Sequence, residues 1–212
     1  TLTLADNLTG AVSNAGTLYV SRLNEQRNNE QLTVPTIFGD YSQEASGSLK
    51  IDLASDTDYT QLVVNGKASF ASNAKIEVNV IGTPELSIGS TINDIVSVNM
   101  GETQKEDSEN SEDAKPLTSD GFSVSDNSAL FDFTAKSDGY TIDLEVKAGR
   151  SVSDIVKKDP NSPAAGVAAL LDLFIAEDFP EFKNLITNLS ELRTDALVKK
   201  AAIELQPLTT GP

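Results

Sequence analysis

Cysteine and histidine are both absent from this 212-residue chain. Without thiols the fold gets no help from disulfides, and neither a thiol nucleophile nor a thiolate metal site can exist. Zero cysteine also fits a secreted bacterial chain that stays uncrosslinked in transit, although many cytosolic proteins also manage without it. Without imidazole, a Ser-His-Asp triad and His-based zinc or iron sites are excluded. Cations are scarce: Lys plus Arg number 16 against 32 for Asp plus Glu, a formal net charge of -16. That balance argues against a nucleic-acid groove or contact with an anionic membrane, both of which need cationic faces. No apolar run reaches the roughly 20 residues of a membrane-spanning helix, and the longest candidate, Ala164 to Ala176, falls short. No signal peptide opens the sequence, and Thr1 without a leading Met suggests a fragment whose targeting elements lie elsewhere.

What is present is alternation. From Gly39 to Val80 short apolar alternations recur at a spacing of roughly twenty residues, each followed by a turn. Leu2, Leu4, Leu18, Val20, Leu49, Ile51, Leu53, Leu62, Val64, Phe70, Ile76, Val78 and Val80 keep the period of two that puts alternate side chains on an inner face. One such rung cannot bury its own apolar face, so several must stack. The expected fold is mainly β: a parallel β-helix, or solenoid, over residues 1–150. Leu86, Ile88, Ile92, Ile95, Val96 and Val98 continue the strands, with Pro84 marking a break between two of them. Gly39, Gly47, Gly66, Gly82 and Gly89 fall at corners, where positive φ is expected. Leu23 to Gln31 reads as a protruding loop, and Gly101 to Asp120 as an exposed acidic loop.

Phe122 to Val124, Leu130 to Phe133 and Tyr140 to Val146 read as further strands. The last two, joined by Ser137-Asp-Gly, form an antiparallel hairpin that closes the stack and covers open strand edges. After Gly149 the pattern turns helical, defining a second segment, 151–212. Ser162-Pro163 reads as an N-cap and first helical residue, followed by Val167, Leu170, Leu171 and Phe174 on one face. Phe182, Leu185, Ile186 and Leu189 form a second amphipathic run. A third comprises Leu197, Val198, Ala201, Ala202 and Leu205, stopped by Pro207.

These residues resemble the C-terminal part of the passenger of bacterial autotransporters, the type V secretion proteins with a pertactin-like right-handed β-helix. The matching elements are Gly39-Asp-Tyr-Ser-Gln-Glu-Ala-Ser-Gly-Ser-Leu-Lys-Ile-Asp-Leu, Tyr59-Thr-Gln-Leu-Val-Val-Asn-Gly-Lys-Ala-Ser-Phe, and Leu86-Ser-Ile-Gly with Ile95-Val-Ser-Val. Asp126-Asn-Ser-Ala-Leu-Phe-Asp-Phe looks like the closing strands of that family. Ala201-Ala-Ile-Glu-Leu-Gln-Pro resembles the segment before its linker helix and membrane barrel. The resemblance implies a right-handed β-helix capped by the hairpin, a non-enzymatic stalk that nucleates folding (the autochaperone) during export through the outer membrane of a Gram-negative bacterium. It also implies a location at the cell surface or outside the cell, with the protein's own C-terminal β-barrel as partner. Its parent would serve adhesion, virulence, self-association or contact with a host cell.

Catalytic groups are hard to find. Asp56 with Asp58, or Asp138 with Asp143, would serve a glycosidase only if both carboxylates faced one cleft, and both pairs flank expected turns. Glu106 to Asp113 is acidic enough to attract calcium but lacks the glycine and fixed spacing of a dedicated loop. No glycine-rich phosphate loop occurs. Tyr19, Phe38, Tyr41, Tyr59, Phe70, Phe131 and Phe133 read as stacked core or corner packing before a sugar platform. The expectation is therefore no catalytic, cofactor or metal site, no nucleic-acid partner and no direct membrane insertion. Two other readings stand beside it. One is a β-helical polysaccharide lyase or depolymerase. The other, compatible with the stalk, is a helical docking module from Val167 to Leu205.

Overall fold

The computed structural model describes residues 1–21, 34–99, 115–157, 164–177 and 179–206. The expected loop at 23–31, most of the acidic loop including Glu106 to Asp113, the Ser162-Pro163 helix start and Pro207 lie outside the described residues.

The strands come in triplets. They run β1 (Leu2–Leu4), β2 (Leu8–Thr9) and β3 (Val12–Asn14), then β4 (Thr17–Val20), β5 (Thr36–Phe38) and β6 (Tyr41–Gln43). The next are β7 (Ser48–Ser55), β8 (Leu62–Val64) and β9 (Ala68–Phe70), followed by β10 (Ala74–Glu85), β11 (Thr91–Val98) and β12 (Leu117–Ser119). The last strands are β13 (Phe122–Asp126), β14 (Phe131–Ser137) and β15 (Thr141–Ala148). Members of each of the first four triplets go to three different sheets in turn. The first sheet has the order β1-β4-β7-β10-β13, the second β14-β15-β11-β8-β5-β2 and the third β12-β9-β6-β3. Neighbours are parallel throughout, except that β15 runs antiparallel to both β11 and β14.

This pairing stacks like side chains into columns. Leu18 lies beside Leu49 and Leu49 beside Ile76, and all are buried in one core with Ile37, Leu62, Val64 and Val96. Of the residues expected to point inward, Leu2 alone is not buried: it stands in register with Leu18 on the inner row but is 52% exposed on the edge strand of the first sheet, where no neighbour covers it. The repeat is longer than the expected twenty residues. Asp40 and Lys67, on adjacent corners, are 27 residues apart, as are the register partners Tyr41 and Ala68 on adjacent strands of the third sheet. The difference is the third sheet, whose three-residue strands carry too few apolar side chains to register as alternation.

Several expectations need correction. Leu117–Ser119 is not exposed loop but strand β12, paired with β9, with Leu117 buried. Pro84 does not break a strand: β10 continues to Glu85, with an irregular register between Val80 and Glu85. Of the glycines expected at corners, Gly39, Gly82 and Gly89 have positive φ, but Gly82 lies within β10 rather than at a corner. Gly47 and Gly66 are required for a different reason, the closeness of the neighbouring chain. A Cβ on Gly47 would lie 2.2 Å from the Asn14 carbonyl oxygen, and one on Gly66 would lie 2.5 Å from that of Gly39.

The hairpin β14–β15 was expected and is present, with Phe131 opposite Ala148 and Ser137 opposite Ile142. Its turn is held by the Asp138 carboxylate, which accepts the Tyr140 and Thr141 N–H groups at 2.8 Å each. β15 covers the edge of β11, burying Ile142, Leu144 and Val146.

The helical segment contains α1 (Val152–Lys157), α2 (Ala165–Glu177), a short 3-10 turn at Pro180–Phe182, α3 (Lys183–Ser190) and α4 (Asp195–Glu204). The sequence reading missed α1, although Val152, Ile155 and Val156 have helical spacing and are all buried. Its first N–H groups, of Val152 and Ser153, donate to the Asp172 carboxylate of α2 at 2.6 and 3.1 Å, which ties the two helices together. α1 packs on α2 and α4, and α3 packs on β10. The expected inner faces are only partly so: Leu171, Ile186, Leu189, Val198 and Ala202 are buried, whereas Leu170, Phe182, Leu197 and Leu205 are exposed.

Candidate functional site

Because alternate residues of a strand face opposite ways, each sheet presents an inner row and an outer row. Three polar arrangements follow from the register, and they differ in whether their groups are already satisfied.

The first lies inside, where the third sheet turns into the first. Asn14, at the end of β3, sits beside Gln43, at the end of β6. The Asn14 amide donates to the Tyr41 hydroxyl at 3.0 Å and to the Ser48 carbonyl at 2.9 Å. The Tyr41 hydroxyl donates to Gln43 Oε1 at 2.9 Å, and Gln43 Nε2 donates to the Lys75 carbonyl at 2.9 Å. Burial pushes the Tyr41 phenol up to about 12 against the opposing Asn14 bond, so it stays neutral and acts as a fixed donor. Next in the column, Phe70 packs its ring 5.5 Å from that of Tyr41 and 5.6 Å from that of Phe122. This network satisfies corner carbonyls and leaves no room for a ligand. Sequence reasoning took Tyr41 and Phe70 as core correctly but passed over Asn14 and Gln43, because an amide near a glycine reads as a turn.

The second lies on the outer face of the first sheet. Asp52 is buried there, accepting the Tyr19 hydroxyl at 2.8 and 2.9 Å and the Asn79 amide at 2.6 Å. Asn127 continues the ladder, donating to Asn79 Oδ1 at 3.1 Å. Burial, and then the bond to Asp52, raise the Tyr19 phenol above its ordinary range. The Lys50 ammonium lies 5.2 Å from the Tyr19 ring centroid, within reach of a cation–π attraction. A depression of about 130 Å³ beside it is lined by Lys50, Glu77 and Asp126 among others. Asp126 is the anomaly. It stands opposite Val78, which is opposite Ile51 and then Val20, so a carboxylate ends an apolar inner row. Burial raises its pKa from 3.8 to about 6, with the Asp132 charge adding to the rise and the Ser128 N–H opposing it.

A carboxyl whose folded pKa is raised contributes stability that is fully present below the unfolded value of 3.8 and is lost as pH climbs through about 6. The shift alone corresponds to a ceiling of about 3 kcal/mol. Solvent screening of this half-exposed group brings it to about 1 kcal/mol. Asp126→Asn is therefore expected to match the parent in urea unfolding near pH 4 and to be about 1 kcal/mol more stable at pH 7. An equal difference at both pH values would show that the carboxyl is not strained by its surroundings.

The third arrangement is a depression of about 510 Å³ on the outer face of the third sheet, lined by Ser42, Ser69, Thr118, Asp40 and Lys67 among others. Ser13, Ser42, Ser69 and Thr118 are in register across β3, β6, β9 and β12, one hydroxyl per strand.

The carboxylate pairs singled out from the sequence do not converge on a cleft. Asp58 lies in the β7–β8 corner, where its carbonyl accepts the Ala54 and Ser55 N–H groups at 2.8 and 3.0 Å. Asp138 is held below the usual carboxylate range by the Thr141 and Tyr140 N–H groups, while Asp143 accepts the Asp94 N–H at 2.8 Å. Among the aromatics, Phe131 and Phe133 are buried, Tyr59 is half-buried with its hydroxyl on the Asn93 carbonyl, and Phe38 is 46% exposed rather than stacked in the core. Among the described residues, no group of three or more Asp or Glu side chains is placed to hold a metal ion, and no helix is long and apolar enough to cross a membrane. No protein-family model matches this chain, and no curated protein matches it either.

Proposed function

We propose that the three sheets are the faces of a right-handed parallel β-helix and that the chain is the C-terminal part of an autotransporter passenger: a non-enzymatic stalk, end cap and folding nucleus. The observation that carries this reading is the strict rotation of β1 through β13 among three sheets, closed by an antiparallel hairpin on the second. A stack built by nearest-neighbour contacts needs one stable end on which further turns can form. The hairpin supplies paired backbone and buried Phe131, Phe133, Ile142, Leu144 and Val146 at that end. The helices that follow then lie between the stack and the protein's own outer-membrane barrel, on the cell surface or released from it. The parent passenger serves adhesion, self-association or contact with a host surface.

Two linked measurements test this. After dilution from urea, the chain should recover rapidly a protease-resistant core spanning Gly39 to Val146. Placed between a β-helical passenger lacking its own C-terminal turns and an outer-membrane barrel, the chain should restore surface display of a protease-resistant passenger. Recovery of the core without rescue of display would retain the fold and remove the secretion role. Failure of both would sink the reading.

A further inference from the structure

On the first sheet, four outward side chains bond to one another in the Tyr19–Asp52–Asn79–Asn127 ladder. The third sheet is built differently. Its outward row is short and hydroxylic, and only Ser13 has its hydroxyl engaged, donating to Glu44 Oε1 at 2.8 Å. The hydroxyls of Ser42, Ser69 and Thr118 bond to no other described residue. Strand spacing sets them about 4.8 Å apart in one line. They lie in the depression of about 510 Å³, not on a convex surface. Its rim carries the charged residues Asp40, Lys67 and Lys115. The Asp40 carboxylate accepts the Lys67 backbone N–H at 2.7 Å, and the Lys115 ammonium donates to the Asp138 carbonyl.

From these features we propose that the outer face of the third sheet is a binding groove for a neutral glycan chain lying across the strands. Each serine or threonine hydroxyl both donates and accepts, which matches a ligand whose own hydroxyls do the same at regular intervals. A chain of net charge -16 favours a neutral ligand over an anionic one. The absence of long outward side chains leaves room for a sugar ring to lie flat against Ser42 and Ser69. A peptide strand fits less well: it is recognised through an open sheet edge or apolar pockets, and this surface is the face of a sheet. The inference goes beyond the stalk reading and does not depend on it, since it rests on the third sheet and its register.

The test is titration of the isotope-labelled full chain with cellotetraose, maltotetraose and chitotetraose, followed by backbone amide shifts. The expected result is saturable shifts confined to β6, β9, β12 and the Asp40–Lys67 rim with at least one of the three. The double variant Ser42→Ala with Ser69→Ala should weaken that binding at least about tenfold, from two lost hydrogen bonds. Ser123→Ala with Ser125→Ala, exposed hydroxyls on the first sheet, should leave it unchanged. The unfolding midpoint of each variant, compared with that of the parent, separates a lost contact from a lost fold. Absence of shifts with all three tetrasaccharides, shifts mapping elsewhere, or full affinity in a folded Ser42/Ser69 double variant would each overturn the groove.

Discussion

Gly66→Ala is expected to lower stability by about 3 kcal/mol, read as a shift of the urea midpoint. The added methyl would stand 2.5 Å from the Gly39 carbonyl oxygen and 2.6 Å from its carbon, both backbone atoms. Neither side can move away cheaply. The Gly39 N–H donates to the Asn65 carbonyl at 3.1 Å and the Tyr41 N–H to the Lys67 carbonyl at 2.8 Å, so the two corners are tied together on both sides of the contact. The same column continues upward, where a Cβ on Gly39 would meet the Gly10 backbone at 2.6 Å. Gly16→Ala is the control: a Cβ there meets nothing within 4 Å and its φ is not positive, so alanine should be neutral or slightly stabilising. If Gly66→Ala unfolds within about 0.5 kcal/mol of the parent, the close stacking of the corners is wrong.

The second large effect is at Tyr41, which is 1% exposed and among the largest fully buried side chains. Tyr41→Ala should cost about 4 kcal/mol, the usual penalty for removing a buried aromatic ring and leaving a cavity. Here the ring also supports Phe70 and, through it, Phe122, so the loss spreads across three strands. Tyr41→Phe keeps the ring and removes only the hydroxyl. Asn14 retains its bond to the Ser48 carbonyl, but Gln43 Oε1 loses the Tyr41 donor. The expected cost is about 1.5 kcal/mol. The ordering of the two variants in denaturant is the diagnostic. Equal stability of parent and Tyr41→Phe would mean that the buried amides satisfy the corner without the phenol.

The residues behind these two predictions differ in how legible they were. Tyr41 and Gly66 were both singled out from the sequence, one as core and one as a corner. The reason assigned to Gly66 was wrong, because a φ preference belongs to one residue whereas the contact that excludes a side chain belongs to two, 27 residues apart at the neighbouring Asp40 and Lys67. Asn14 and Gln43 were not legible at all: only the return of the chain turns them inward against carbonyls they can satisfy. Asp126 shows the converse. The strand was expected only from Phe122 to Val124 and extends to Asp126; the inward position of Asp126 depends on pairing with Val78 across an inserted segment, and Asn79 and Asn127 next to them are 48 residues apart. The groove serines were invisible for a similar reason, since an isolated serine in a short strand carries no periodic signal.

By itself the sequence determined which residues alternate between an inner and an outer face, where the strand pattern stops after Gly149, and which chemistries cannot occur without cysteine and histidine. Those are local or compositional properties, set by a strand's period of two and by the side chains available. The tertiary structure decided which rows stand on which, whether a glycine is needed for its φ or for its missing methyl, and where hydroxyls gather unpaired. These depend on register, and register is set only when separate triplets of strands meet and bury a common core.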